Sequence, residues 1–316
     1  MSEAFAIGMD VGGTHTKIGL VSSAGRLLGY QSIPSDLGGE DAAPFLERTM
    51  RIMAGYLQAQ PAQGLGIALC SLVNAEHTGS LLSVNAPALN GLNLKQIYEE
   101  RFGLPVQVMN DVNAYALAEY HFGAGRGARR LLCLGLGTGL AIAVILDGRL
   151  VETWGGIVAD AGRIILDPNA EVRCKGGVRG SAEALCGSAA IERLGRAAYQ
   201  REVITAHEII QAAREGRDLQ ARQVMAEVGG HAGHLLAILA PVYFPQRIII
   251  TGGTSEASEA LLEATRGRFA SLIGEYMQEL TYLESGERHR VEIVKGELGP
   301  EAAMIGCAYQ LRMHDQ

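Results

Sequence analysis

No excess of positive charge marks this chain. Over 316 residues the formal net charge is −7 and the isoelectric point lies near 5.7. That argues against a dedicated nucleic-acid binder, because no domain-wide basic field would meet the phosphates. No apolar run reaches membrane-spanning length either. The least charged stretch, Leu131 to Leu146, contains three glycines and a threonine and falls short of the ~20 residues a transmembrane helix needs. A disulfide framework is also missing. Cys70, Cys133, Cys174, Cys186 and Cys307 are odd in number, scattered and mostly embedded in apolar segments, the thiol usage of a reducing cytoplasm. No basic region precedes a leader-like apolar core, so no signal peptide is expected. Low-complexity segments and exposed linkers are absent.

What remains is a globular composition, 48% hydrophobic and 19% charged, long enough for one large or two ordinary domains. The 41 glycines cluster at turns between apolar runs. Residues 4–9, 16–21 and 27–32 read as three strands. A helix is expected over 41–58, a strand over 66–69, a helix over 94–102 and a strand over 106–109. A further helix should start at Asp111 and run to about His121, with Asn110 as its N-cap. Strands follow at 131–136, 140–146 and 150–152. Helices are expected over 181–199, 206–215, 219–239 and most of 255–282, with strands at 247–251 and 291–294 and a closing helix over 300–311.

The most informative segment is Asp10-Val-Gly12-Gly13-Thr14-His-Thr-Lys17, between two apolar runs. Glycines let backbone N–H groups approach a phosphate with no Cβ in the way. Asp10 stands where a strand carboxylate can hold Mg²⁺, directly or through water. Thr14 adds a hydroxyl and Lys17 a charge. The plainer alternative is a hairpin with an ordinary glycine turn. It is not a P-loop, since no Gly-Lys-Ser/Thr opens a helix. A second turn, Gly137-Thr138-Gly139, and a third, Gly252-Gly253-Thr254, also follow apolar strands. The first two form a weak internal repeat that could face each other across a cleft. Asp111 lies at a strand-to-helix junction, where an acid can serve as a base or merely complement the helix dipole.

Together these segments resemble the ROK family (repressors, open reading frames and sugar kinases). The likeness rests on Asp10–Lys17, on Asn110-Asp111-Val-Asn113-Ala114, on Leu136–Gly139 with Leu146-Asp147-Gly148, on Ile250–Thr254, and on the ending from Leu298-Gly299 to Ala308. It spans nearly the whole chain. The resemblance implies an α/β, actin-like ATPase (ribonuclease H-like) fold of two domains with a central cleft. The small domain would comprise 1–123 plus 300–316, the large one 124–299.

It also implies an ATP- and Mg²⁺-dependent kinase of a sugar or sugar-like substrate. Asp111 would accept the proton of the attacking hydroxyl, with no large pKa shift required. Asn110, Asp160, Arg163 and Glu183 would lie at the substrate. Gly12, Gly13, Thr14, Lys17, Gly137, Thr138, Gly139, Gly252 and Gly253 would hold the nucleotide. A homodimer in the cytoplasm, binding neither nucleic acid nor membrane, completes the expectation. The rivals are a non-catalytic sugar-binding relative and a sugar-sensing regulator. Because the first strand starts near Ala4, no room is expected for the family repressors' DNA-binding domain.

The sugar side departs from the family pattern, Gly-Glu-x-Gly-His followed by Cys-x-Cys-Gly-x-x-Gly-Cys-Leu-Glu. There the Glu and His touch sugar, and the His and three cysteines bind a structural zinc. This chain reads Ala159-Asp160-Ala161-Gly162-Arg163, then Cys174-Lys-Gly176-Gly177-Val-Arg-Gly180-Ser181-Ala-Glu183. One of four ligands remains, and a structural zinc needs four, so no zinc is expected. Arg163 either pairs with Asp160, the favoured reading, or meets an anionic or carbonyl group of an unusual substrate. Cys70-Ser71 replaces the family's Pro-Gly, Asn74 its Asp, and Pro87-Ala88 its Pro-Asn. These changes argue against plain glucose as substrate. His231 and His234 read as packing histidines.

Overall fold

A computed structural model describes residues 3–256, 259–275 and 291–313. It divides into two compact units. Unit 1 comprises Met1–Arg126, Leu150–Ala159 and Pro300–Gln316, and unit 2 comprises Gly127–Arg149 and Asp160–Gly299.

Unit 1 is built on strands β1 (Phe5–Val11), β2 (His15–Ser22), β3 (Leu27–Pro34), β4 (Leu65–Leu69) and β7 (Val106–Asn110), in the order β3-β2-β1-β4-β7. The first three form an antiparallel meander, and β4 and β7 then add in parallel. Parallel strands buried on both faces read as continuous apolar runs, and every residue of β4 is buried. A small two-stranded sheet, β5 (Leu72–Val73) with β6 (Ser80–Leu82), branches off after β4. Helices α1 (Ala43–Ala59), α2 (Leu94–Phe102) and α3 (Asp111–Phe122) complete the N-terminal part.

The closing helix, Ala302–Met313, lies on β1 and β4 at backbone contact. A Cβ at Gly8 would run into the Met304 carbonyl, one at Gly66 into the Cys307 carbonyl, and one at Gly306 into the Ala114 carbonyl. Glycine is therefore a packing requirement there.

Unit 2 repeats the plan with β8 (Arg130–Leu136), β9 (Leu140–Leu146), β10 (Arg149–Leu150), β11 (Arg247–Thr251) and β12 (Glu292–Lys295), ordered β10-β9-β8-β11-β12. Again β8 and β9 are antiparallel, and β11 and β12 add in parallel. Among the described residues its helices are α4 (Ala182–Cys186), α5 (Ser188–Tyr199), α6 (Ala206–Arg214), α7 (Leu219–Tyr243) and α8 (Glu259–Leu272).

Several expectations need correction. Residues 150–159 belong to unit 1, not to one block from 124 to 299. The Asn113 amide donates to Glu152 Oε1 and to the Gly156 carbonyl, both at 2.8 Å, and fastens this segment to α3. The expected helix over 181–199 is broken at Gly187, which is extended (φ −72°, ψ 173°). There the Ser188 N–H and hydroxyl both turn to the Gly137 carbonyl, at 3.1 and 2.9 Å. Helix α7 runs past Pro241 to Tyr243, even though proline has no N–H to give to the Ala237 carbonyl one turn back. Of the helix expected over 255–282, residues 257–258 and 276–282 lie outside the described residues.

Candidate functional site

In unit 1 the expected residues gather at the C-terminal ends of β1, β4 and β7. Val11, Leu69 and Asn110 sit in register across the sheet. Asp10 precedes Val11 on β1, pairing in register with Lys17 of β2. Asp111 follows Asn110 as the first residue of α3. Burial pushes the Asp10 carboxyl up to about 6, with Lys17 opposing. Burial, reinforced by repulsion from Asp10, pushes Asp111 up to about 7 against the pull of the Val112 N–H. Burial, reinforced by the same two acids, raises the Cys70 thiol, just past the end of β4, to about 12. Two buried carboxyls, the second further disfavoured from ionising by the first, form an electronegative seat for a cation beside the strand ends. That donor chemistry fits Mg²⁺, which favours one or two carboxylates plus phosphate oxygens. The shift at Asp111 exceeds what the sequence reading required.

The amide Oδ1 of Asn110 accepts from the Val112 N–H at 2.9 Å, the expected N-cap, while its Nδ2 donates to the Ser71 carbonyl at 2.8 Å. Asn110 thus sets the entry of α3 and the aim of Asp111, keeping one N–H and one lone pair for another partner. The 12–14 turn is closed by Gly12 N–H to the His15 carbonyl at 3.1 Å. It is braced by the Ser35 hydroxyl on the Gly12 carbonyl at 2.7 Å and the Ser35 N–H on that of Thr14 at 2.9 Å. Thr14 is exposed. Lys17 Nζ donates to the Pro300 carbonyl at 2.6 Å, a tie to the closing segment that spacing alone does not reveal. Asn74 holds the turn before β6, with its Oδ1 accepting from the Thr78 and Gly79 N–H groups, and Ala88 is buried.

In unit 2 the 137–139 turn closes through the Gly137 N–H on the Gly139 carbonyl at 3.0 Å, and Thr138 is exposed. Gly252 has φ +87° and lies against the Leu136 backbone, so no larger residue fits. Two residues on, the buried Thr254 hydroxyl has no hydrogen-bond partner in the described structure. An unsatisfied buried donor is costly unless a ligand or water completes it.

The substrate-side residues of unit 2 form a cluster that differs from the expectation. Arg163, at the end of a short turn over Ala161–Arg163, makes its shorter ion pair with Glu183, Nη1 to Oε1 at 2.6 Å. Asp160 is the looser partner at 3.5 Å. The Arg163 N–H on the Asp160 carbonyl closes the turn at 3.0 Å, and α4 carries Glu183 to the guanidinium. Nη1 also donates to Cys174 Sγ at 2.9 Å. Burial raises the Asp160 carboxyl, with Arg163 opposing and Glu183 adding to the rise. Burial works against the Cys174 thiolate, yet the Ser181 hydroxyl, nearby N–H groups and Arg163 together draw its pKa below the usual value. Glu183 Oε2 also accepts from the Leu140 N–H at 3.3 Å, beside the 137–139 turn. Both oxygens of Glu183 are therefore engaged by protein.

The family model for the ROK family matches residues 6–313. The glucokinase of Thermotoga maritima is 29% identical over 96% of this chain and 95% of that protein. The crystal structure of a ROK family glucokinase from Streptomyces griseus, in complex with glucose and AMPPNP, is 28% identical. It covers 98% of this chain and 100% of that one at a TM-score of 0.85. The DNA-binding transcriptional dual regulator NagC of Escherichia coli is 34% identical over 54% of this chain and 44% of that protein.

Proposed function

The chain belongs to the ROK family, and on that premise we propose that it is an ATP- and Mg²⁺-dependent carbohydrate kinase. The kinase class is supported by glucokinase relatives that match along nearly their full length. The observation that carries the reading is the placement of Asp10 near the C-terminal end of β1 and of Asp111 directly after β7, two buried carboxyls held above their ordinary range. Phosphoryl transfer needs a base aligned with a hydroxyl and a cation beside the phosphates, and most of its catalysis is positioning and charge neutralisation.

The substrate hydroxyl gives its proton to Asp111 as its oxygen bonds to the γ-phosphorus. The bond from that phosphorus to the bridging oxygen breaks, and ADP leaves. Asp10 would help hold Mg²⁺, which supplies charge neutralisation on the phosphates. Gly12, Gly13, Thr14, Gly137, Thr138 and Gly139 would offer N–H and hydroxyl donors to those phosphates. Gly252 and Gly253 would lie against the adenosine, with the unpartnered Thr254 hydroxyl available there. Asn110 and Asp160 would bind substrate hydroxyls. The homodimer, the cytoplasmic location and the small-domain and large-domain roles rest on the resemblance to the family.

The acceptor is proposed to be a sugar or polyol other than plain glucose. Support comes from Glu183, whose oxygens are taken by Arg163 and the Leu140 N–H. The charge of Arg163 is in turn met by Glu183 and Asp160, which disfavours a dedicated anion-binding role for it. The same engagement of Glu183 is the observation that favours the second reading, a sugar-binding relative without turnover. ADP release measured with Mg²⁺-ATP across hexoses, N-acetylhexosamines, sugar acids and cyclitols separates the two. Turnover on one compound, cut by about 10²-fold or more in Asp111→Ala, supports the kinase. Saturable sugar binding by calorimetry with no ADP from any bound compound supports the second reading.

A further inference from the structure

The sequence aligns Arg163, Cys174, Gly176 and Ser181 with the His and three Cys that bind structural zinc in the family pattern. The donor set does not fit zinc: one thiol, one hydroxyl, a glycine and a permanent cation cannot make a four-ligand N/S site. Yet the four positions still converge. Arg163 Nη1 reaches Cys174 Sγ at 2.9 Å. A Cβ placed on Gly176 would lie 2.9 Å from the Arg163 Cζ and 3.2 Å from its Nε, so the guanidinium lies over the bare backbone of Gly176. The Ser181 hydroxyl interacts with Cys174 and also caps α4, accepting from the Ala184 N–H at 3.3 Å. Carboxylates close the group, Glu183 at 2.6 Å and Asp160 at 3.5 Å.

The geometry points to the Arg163 guanidinium as an internal replacement for the metal, a fixed cation that cross-links the 160–163 turn, the 174–177 turn and α4. Three features carry this. The charge at the centre is positive, as a metal's would be, and is faced by two carboxylates and a polarised sulfur. The planar fork has several donors in fixed directions, so one group can bridge elements that are distant in sequence. Gly176 supplies the room; a cysteine side chain there would collide with the guanidinium. Through Glu183 Oε2 on the Leu140 N–H, the cross-link also reaches the 137–139 turn, which makes Arg163 a positioning residue. This inference concerns the architecture of unit 2 and stands apart from the choice of substrate.

The first test is thermal unfolding and metal content, neither of which depends on turnover. The purified protein is expected to hold no stoichiometric zinc by elemental analysis, and its Tm should be unmoved by EDTA or by added zinc chloride. Arg163→Met should lower Tm by several degrees, and Arg163→Lys should recover part of that loss, keeping the charge without the fork. The triple change Arg163→His, Gly176→Cys, Ser181→Cys, with Cys174 in place, should bind one equivalent of zinc and acquire a Tm that EDTA lowers. Stoichiometric zinc in the unaltered protein overturns the proposal. So does an Arg163→Met protein as stable as the parent, or a folded triple variant that takes up no zinc. If the triple variant fails to fold, the Tm of Arg163→Met and the metal content of the unaltered protein still decide the matter. Where a sugar substrate is found, KM for that sugar should rise more than kcat falls in Arg163→Met, and Arg163→Lys should restore part of KM.

Discussion

Asp111 has two demands on it, and they conflict. As proposed base it must be ionised, yet burial and the neighbouring Asp10 hold its carboxyl near pH 7. The kcat/KM of free enzyme should therefore fall as pH drops through about 7, and a pH profile from 5.5 to 9 reads this directly. Asp111→Ala should cost about 10²–10⁴-fold in kcat, the usual worth of a positioned base. The stability consequence has the opposite sense. Both Asp10 and Asp111 hold protons more tightly in the folded chain than at their ordinary 3.8. Folded protein thus binds more protons than unfolded between roughly pH 4 and 7, and stability falls as pH rises through that window. Asp111→Asn, neutral at every pH, should raise Tm at pH 8 while losing turnover to the same extent as Asp111→Ala. An unchanged Tm in that variant would mean the ionised Asp111 carries no cost in the folded chain.

Among the elements, the closing helix against β1 and β4 is the most constrained. Gly66→Ala would drive a methyl into the Cys307 carbonyl, and Gly306→Ala would drive one into that of Ala114. Neither neighbour is a side chain that can swing aside. Each change should destabilise by about 1–3 kcal/mol or more, the usual cost of overpacking, read from the urea midpoint. Gly38→Ala, with open space around it, is the control. The β-strands were readable in sequence because apolar runs end in Gly-rich turns, and Arg247–Thr251 matches its expected limits. The α3 start was readable because Asn110 is a good cap before Asp111, and the structure shows that cap bond. What sequence could not show depends on partners far along the chain. The break at Gly187 is set by the Gly137 carbonyl, and the small β5–β6 sheet has strands too short for periodicity. In the site, both acids were legible, but the burial that raises their carboxyls was not. Nor was the Arg163–Glu183 pair, since the nearer Asp160, three residues away, looked the natural partner.

At the scale of the molecule, two sheets of like order, β3-β2-β1-β4-β7 and β10-β9-β8-β11-β12, carry the proposed phosphate turns. Each places a Gly-rich turn between its first antiparallel pair, at 12–14 and at 137–139. Under the proposed function, a non-hydrolysable ATP analogue with Mg²⁺ should stabilise the whole protein by about 2.7 kcal/mol at a hundred times its Kd, seen as a rise in Tm. Asp10→Asn should weaken that rise at low Mg²⁺ and recover it at high Mg²⁺. A rise independent of Mg²⁺ would remove Asp10 from the proposed metal seat. The closing helix has one more consequence, for the order in which the chain is made. Unit 2 has all of its sheet once residue 299 has been synthesised, whereas the cover over β1 and β4 is translated only afterwards. Unit 1 is thus begun before unit 2 and completed after it, and the glycine-lined face of β1 and β4 stays uncovered until residues 302–313 are made.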